Sequence, residues 1–242
     1  MRLAKVDVAN PDSCRALAAR LRTLHPLGID VLVNNAAVRG VGPRETIATN
    51  VYGVLEMSGN LAPLLAKRAG RIINVGSRGH KQWMWNHASQ VAMLDPLLTE
   101  VELVESCEGF IEEAQSEAKS REQNEAKSRE QNEAKSRVKL ETTAYKFSKA
   151  ALHAATRVLA RRHRELWITC VCPGHCKTDL AGWERPPSSA ADGAKTVAWL
   201  ASRESKTRTT LKGEASFFAE KKRLAWAALN VGLKGVGSAL NV

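Results

Sequence analysis

A tyrosine and a lysine stand four residues apart in the segment AYKFSK, a spacing that puts both on one face of a helix. The phenol of Tyr145 has an ordinary pKa of about 10, too high for easy proton exchange at neutral pH. A nearby ammonium, such as that of Lys149, favours phenolate and would lower that pKa. The pair suggests proton-transfer chemistry, although this spacing also occurs by chance on helix surfaces.

Polar turns follow three of the predicted strands. Asn34 and Ala36 lie in NNAA directly after the strand IDVLV, and Ser77 closes IINVGS. Pro173 and Gly174 follow the strand WITCVC. Open α/β sheets bind ligands at the carboxyl ends of their strands. These turns therefore predict a binding cleft at one edge of a sheet.

Strands alternate with helices along the chain, which favours a parallel sheet covered by helices on both faces. Asn10 is a predicted N-cap with Pro11 at the first helical position, and Pro26 and Gly28 end that helix. The predicted strands are 2–8, 29–33, 71–75, 167–172 and 215–218, and the later predicted helices are 45–68, 144–163 and 190–200. Pro63 is expected to kink the second helix.

The series NNAA, TNVYG, IINVGS, YKFSK and CPG resembles the short-chain dehydrogenase/reductase family in order and spacing, over nearly the whole chain. The resemblance implies a Rossmann-like, doubly wound parallel sheet in a single domain over 1–242. The segment LLTEVELVESCEGFIEEAQ resembles the helical insertion of monomeric carbonyl reductases, here in a surface insertion at about 81–140. The resemblance implies a monomer that uses NADPH to reduce ketones, aldehydes or quinones.

The family's mechanism can be carried over to matching positions. The resemblance implies that Tyr145 protonates the carbonyl oxygen, that Ser77 hydrogen-bonds it, and that Lys149 lowers the pKa of Tyr145 and holds the nicotinamide ribose. Asn50, in TNVYG, would anchor a water in a proton relay. The implied cofactor-binding residues, besides Tyr145 and Lys149, are Asp7, Asn34, Ala36, Pro173, Gly174 and Thr178. Trp83 is expected at the rim of the substrate pocket, or else against the insertion.

One part of the family pattern is missing. The sequence has no TGxxxGxG turn, whose backbone N–H groups meet the cofactor's pyrophosphate at a helix N-terminus. We expect the first two strands and this loop to be lacking, which would leave the strand IDVLV as an edge with an uncovered apolar face. A second hypothesis is therefore a non-catalytic relic, or the product of an incomplete gene, that keeps Tyr145 but cannot hold the cofactor.

Composition limits the other function classes. The 242 residues are 44% hydrophobic and carry a net charge of +11. The charge is scattered and not interleaved with aromatic residues, so a nucleic-acid partner is the weakest of three hypotheses. No stretch reaches the length of a membrane helix, and five cysteines fit a reducing, cytoplasmic compartment.

Two further features of the sequence are a short repeat and a cluster of cysteines. Residues 117–137 repeat the unit EAKSREQN without a large apolar residue, which predicts a surface segment that is helical or disordered. The cluster CVCPGHC does not have the spacing of a zinc site, so we expect no metal and predict core thiols at Cys170 and Cys172. His153 and His163 are predicted to lie on a helix surface.

Overall fold

The computed structural model describes residues 3–68, 70–78, 93–125, 130–181, 183–184, 186–202 and 214–224. Its strands are β1 (Val31–Asn34), β2 (Arg71–Val75), β3 (Trp167–Cys172), β4 (Ser216–Ala219) and β5 (Lys222–Leu224). They form one sheet in the order β1-β2-β3-β4-β5, in which the first four are parallel and β5 is antiparallel to β4. The predicted parallel α/β sheet is confirmed.

Helices cover both faces of this sheet. They are α1 (Pro11–Leu24), α2 (Pro43–Ile47), α3 (Gly53–Ala66), α4 (Glu100–Glu125), α5 (Glu130–Arg162) and α6 (Ala190–Ser202). Neighbouring residues of β2 point to opposite faces: Ile72 packs with α1, α3 and α5, whereas Ile73 packs with Leu200 of α6. The arrangement is Rossmann-like, with its core divided between the two faces.

The start of α1 follows the sequence prediction. The Asn10 side chain accepts hydrogen bonds from the backbone N–H groups of Asp12 and Ser13, and Pro11 occupies the first turn. These bonds satisfy N–H groups that the helix itself leaves without acceptors. The helix then buries Cys14 and Ala18 against α3.

The predicted helix 45–68 is interrupted in its first part. Between α2 and α3 the chain forms a wider, π-helical turn over Ala48–Tyr52, which contains Asn50. Such turns insert an extra residue into the helix and occur often at functional sites. Pro63 lies within α3.

The prediction of a strand over residues 2–8 is wrong for the residues described. Residues 3–7 form no strand, and Leu3 is 83% exposed. A strand needs a hydrogen-bonded neighbour, and no described segment provides one here. β1 pairs only with β2 within the described chain, and Val33 on it is 38% exposed. The expected edge position of IDVLV is confirmed.

The insertion is built from the facing parts of two long helices. The rings of Phe110 on α4 and Phe147 on α5 stack with their centroids 3.9 Å apart. Cys107, Ile111 and Ala144 are buried in the same cluster. The repeat continues both helices outward, since residues 117–125 and 130–137 are helical.

A short hairpin ends the sheet. The turn between β4 and β5 places Glu220 and Lys221 at φ of 51° and 60°. Two left-handed residues in a row give a tight turn that suits the strand twist. β5 could not be predicted from the sequence, because its three residues include two charged ones and carry no apolar alternation.

Candidate active site

A cleft of about 1100 Å³ opens at the carboxyl ends of β1, β2 and β3. Its lining includes seven of the residues predicted from the sequence: Ala36, Ser77, Tyr145, Lys149, Pro173, Gly174 and Thr178. Asn34, Asn50 and Asp7 do not line it. Trp83 lies outside the described residues. The structure thus brings the tyrosine, lysine and serine together at one site.

Lys149 is the most deeply buried charged group of this site. Its side chain is 3% exposed, and its Nζ donates a hydrogen bond of 2.9 Å to the carbonyl oxygen of Val75, at the end of β2. Burial lowers the pKa of Lys149 to about 8, although the nearby thiols of Cys170 and Cys172 act in the opposite direction. Two of its three ammonium protons make no hydrogen bond to the described residues.

Tyr145 is held protonated at neutral pH. Burial raises the pKa of Tyr145, while the Arg39 guanidinium lowers it and the Cys172 thiol raises it. The expectation that Lys149 brings this pKa below its ordinary value is wrong for this structure. The Lys149 Nζ lies 5.6 Å from the centroid of the Tyr145 ring and points to a backbone carbonyl, so burial dominates.

Asn50 connects the loop after β1 to helix α5. Its side-chain Oδ1 accepts from the Val38 N–H at 2.8 Å, and its Nδ2 donates to the Val38 carbonyl at 3.0 Å. The same Nδ2 donates to Ser148 Oγ at 2.9 Å, and that hydroxyl donates to the carbonyl of Tyr145 at 2.8 Å. With both amide protons engaged, Asn50 holds the backbone of two cleft-lining segments in place.

Asn34 belongs to a second network, which lies behind the cleft. Its Nδ2 donates to Ser58 Oγ at 3.1 Å and to Asn74 Oδ1 at 2.8 Å. Asn74 Nδ2 in turn donates to Thr156 Oγ1 at 3.0 Å. These bonds tie β1 and β2 to helices α3 and α5. The neighbouring Asn35 lines the cleft where Asn34 does not.

Gly76 fixes the backbone just before Ser77. Its N–H donates to the Val171 carbonyl at 2.8 Å, which extends the pairing of β2 with β3. A side chain here would collide, because a Cβ would lie 2.4 Å from Cys170 Sγ and 2.7 Å from His153 Nε2.

The prediction of a surface position for His153 is wrong, since it is 5% exposed and packs on Phe217.

The turn after β3 forms the opposite wall. Gly174 has a φ of +87°, a conformation that favours glycine. The Cys176 thiol donates to the Pro173 carbonyl at 3.4 Å, and the Lys177 N–H donates to the Ser188 carbonyl at 2.9 Å.

All five cysteines are buried and unbridged, which confirms the prediction of core thiols at Cys170 and Cys172. Over the described ranges no three histidine, cysteine or acidic side chains are placed to hold a metal.

Asp7 serves the start of α1 in this structure. Its carboxylate accepts from the Ala9 N–H at 3.0 Å, and its own N–H donates to Ser13 Oγ at 2.9 Å. Arg39 lines the cleft beside Tyr145 and was not predicted from the sequence. The sequence feature that could have indicated Arg39 is that a cationic residue stands four positions after Asn35, in the segment that follows a predicted strand.

Known proteins are similar to this chain in sequence and in fold. A family model described as short chain dehydrogenase matches residues 1–89. Carbonyl reductase (NADPH) 3 of Rattus norvegicus is 29% identical over 217 residues, which cover 83% of this chain and 72% of that protein. The (+)-neomenthol dehydrogenase of Capsicum annuum is 28% identical over 244 residues, covering 81% of this chain and 73% of that protein.

These matches support membership of the short-chain dehydrogenase/reductase family.

Solved structures of reductases have the same fold. Salutaridine reductase from Papaver somniferum matches with a TM-score of 0.69 at 23% identity, over 90% of this chain and 81% of that one. The NADPH-bound carbonyl reductase from chicken fatty liver matches with a TM-score of 0.58 at 21% identity, over 91% and 75% of the two chains. These structures show the fold. The relatives in sequence, which are named as carbonyl reductases and a dehydrogenase, support an oxidoreductase with a nicotinamide cofactor.

The cleft of this chain fits the nicotinamide end of such a cofactor. The two free protons of the buried Lys149 ammonium are donors that ribose hydroxyls could accept. Ala36, Pro173 and Gly174 line the same space with little side-chain bulk. The family's phosphate-binding turn has no counterpart by motif in this sequence. The cleft residues therefore account for binding of the nicotinamide end of the cofactor, and not for binding of its phosphates.

Proposed function

We propose that this chain reduces carbonyl compounds to alcohols by hydride transfer from NADPH. The observation that carries the proposal is the placement of Ser77, Tyr145 and Lys149 in one cleft, with Tyr145 held protonated. Relatives named as NADPH carbonyl reductases support both the reaction and the cofactor. Ketones, aldehydes and quinones are the proposed substrate classes.

The acid of the reaction is the Tyr145 phenol. Reduction adds a hydride to the carbonyl carbon and needs a proton at the oxygen, so the tyrosine must start in its protonated form. Because burial raises the pKa of Tyr145, this form predominates at neutral pH. The Ser77 hydroxyl, on the same cleft, would hydrogen-bond the carbonyl oxygen and direct it to the phenol.

Lys149 has two proposed tasks. Its ammonium would bind the ribose next to the nicotinamide, which supplies the hydride when bound, and it would stabilise the phenolate left after proton transfer. Ala36, Pro173, Gly174 and Thr178 would hold the nicotinamide end. For Asn50 the bonds to Val38 and Ser148 support a positioning role, and the water-anchoring role stays a prediction.

The remaining expectations concern the state of the protein. We propose a monomer, because the apolar face of α4 already covers that of α5 around Phe110 and Phe147. We propose a cytoplasmic location, for which five free thiols are suited to a reducing compartment. None of the described helices combines the length and the apolar character that crossing a membrane requires.

The test compares two tyrosines, the only two in the chain. Purified protein is assayed for NADPH oxidation with a panel of ketones, aldehydes and quinones. Tyr145→Phe should lower kcat at least a hundredfold, since general acid catalysis contributes about that much. Tyr52→Phe is the matched control: its hydroxyl bonds Glu108 at 2.7 Å and does not line the cleft, so activity should persist.

The non-catalytic alternative rests on the missing TGxxxGxG turn. It predicts that titration with NADPH or NADH produces no saturable quenching of the tryptophans in a protein that is demonstrably folded. Saturable quenching by NADPH, together with loss of turnover in Tyr145→Phe, would exclude it.

A further inference from the structure

Arg39 is a cation of the cleft that the proposed reaction does not use. Its guanidinium carbon lies 5.6 Å from the centroid of the Tyr145 ring, and its side chain is exposed to the cleft. Arg78, on the same cleft, is paired with Glu220 at 3.1 Å. Arg39 has no carboxylate partner in the part of the chain that the structure describes. Its guanidinium donates no hydrogen bond to the described residues, so its N–H donors are available to a ligand of the cleft.

The position of Arg39 next to the acid is held by the backbone. Asn50 bonds both the N–H and the carbonyl of Val38, the preceding residue, at 2.8 and 3.0 Å. The same amide bonds Ser148, whose hydroxyl bonds the Tyr145 carbonyl. A continuous chain of buried and partly buried hydrogen bonds thus links the loop that carries Arg39 to the helix that carries Tyr145. The backbone segments that carry the two side chains are therefore held next to each other in one wall of the cleft.

We propose that Arg39 binds an anionic group of the substrate and selects carbonyl compounds that carry a carboxylate close to the reacting carbonyl. The inference rests on the proposed function. A guanidinium presents a planar fork that matches a carboxylate with two parallel hydrogen bonds, a match that a neutral group cannot reproduce. Because Arg39 lies over the ring whose hydroxyl protonates the carbonyl oxygen, the carboxylate and the carbonyl must lie a short distance apart in one molecule.

The reaction balances with the proposed chemistry. The carbonyl carbon gains the hydride of NADPH and the oxygen gains the Tyr145 proton, which yields a hydroxy acid and NADP⁺. The carboxylate itself is unchanged, and Arg39 contributes only binding. A reaction that releases oxo acids would supply the substrate, and one that oxidises or esterifies hydroxy acids would consume the product.

The experiment compares 3-acetylbenzoate with 3-acetylbenzamide, two ketones of nearly equal size that differ in charge. Each is assayed with NADPH against the unmodified protein, Arg39→Gln, Arg39→Lys and Arg20→Gln. Arg20 is exposed on α1 and does not line the cleft, so Arg20→Gln removes the same charge elsewhere. We expect the unmodified protein to prefer the acid in kcat/KM, and Arg39→Gln to lower that preference about tenfold.

The variants separate the fork from the charge. Arg39→Lys keeps the charge without the paired donors, and should retain only part of the preference. Arg20→Gln should leave the preference unchanged. If Arg39 acted only by lowering the pKa of Tyr145, Arg39→Gln would change both ketones by the same factor and shift both pH profiles equally. That result, or an unmodified protein without preference for the acid, would overturn the inference.

A binding measurement keeps this inference separate from the proposed function. If neither ketone is reduced, the proposed function fails, and calorimetric titration with 3-acetylbenzoate and 3-acetylbenzamide then tests Arg39 alone. Binding of the acid that is about tenfold weaker in Arg39→Gln, and unaffected in Arg20→Gln, would support the carboxylate site. Equal binding of acid and amide by the unmodified protein would refute it.

Discussion

Lys149 provides a prediction that links the chemistry of the site to the stability of the fold. The residue is 3% exposed, and burial lowers the pKa of its ammonium from an ordinary 10.5 to about 8. Between these two pH values the unfolded chain holds the proton and the folded chain does not. The contribution of Lys149 to the free energy of unfolding should therefore rise as the pH increases through this range. Lys149→Met removes the titrating group and should remove this rise.

The size of the effect follows from the two pKa values. One unit of pKa difference corresponds to about 1.4 kcal/mol, and most of the shift is recovered as the pH approaches 10.5. Between about pH 7 and about pH 9.5 the contribution of Lys149 should amount to about 2 kcal/mol. The difference in unfolding free energy between Lys149→Met and the unmodified protein should change by that amount, in favour of the unmodified protein at the higher pH.

Urea unfolding followed by tryptophan fluorescence at several pH values measures this difference. Lys119→Met is the control, because Lys119 is exposed on α4 and its ammonium stays in water when the chain folds. Its difference from the unmodified protein should not vary with pH. A pH-independent difference for Lys149→Met as well would show that the Lys149 ammonium is not buried at a cost, and would refute the reasoning.

Two further predictions concern the same site. Gly76→Ala should destabilise the fold by about 2 kcal/mol in urea unfolding, since its Cβ would lie 2.4 Å from Cys170 Sγ. Gly59→Ala, on α3 with no atom within 4 Å of the new Cβ, should instead stabilise by about 0.5 kcal/mol, and equal effects would contradict the close approach at Gly76. The kcat/KM of carbonyl reduction should fall as the pH rises through about 8, because Lys149 then loses its proton. A profile that stays flat up to about pH 10 would argue against a role for the ammonium.

The strands of the sheet interior could be predicted because their sequences are nearly continuous apolar runs. Arg71–Val75 and Trp167–Cys172 are strands with the predicted bounds. Their character follows from burial on both faces, which leaves little choice of residue. The strand expected over 2–8 was wrong, because pairing depends on a neighbour and cannot be read from a single segment.

The sequence indicated which residues form the site, but not how deeply they are buried or how their pKa values are shifted. The spacing of Tyr145 and Lys149 and the turns after the strands indicated one cleft, which the structure contains. The sequence could not show that Lys149 bonds the Val75 carbonyl and is almost fully buried, because both depend on how α5 packs on β2. The position of Arg39 over the Tyr145 ring could not be predicted for the same reason, since the two residues lie 106 positions apart in the chain.

The central claim is that this cleft transfers a hydride from NADPH to a carbonyl carbon while Tyr145 supplies the proton. The most direct measurement incubates the protein with a reducible ketone and NADPH that carries deuterium at both hydrogen positions of the nicotinamide C4, and analyses the alcohol by mass spectrometry. We predict one deuterium on the carbinol carbon with the unmodified protein and with Tyr52→Phe, and at least a hundredfold less product with Tyr145→Phe. A folded protein that produces no deuterated alcohol from any ketone, aldehyde or quinone of the panel would contradict the account.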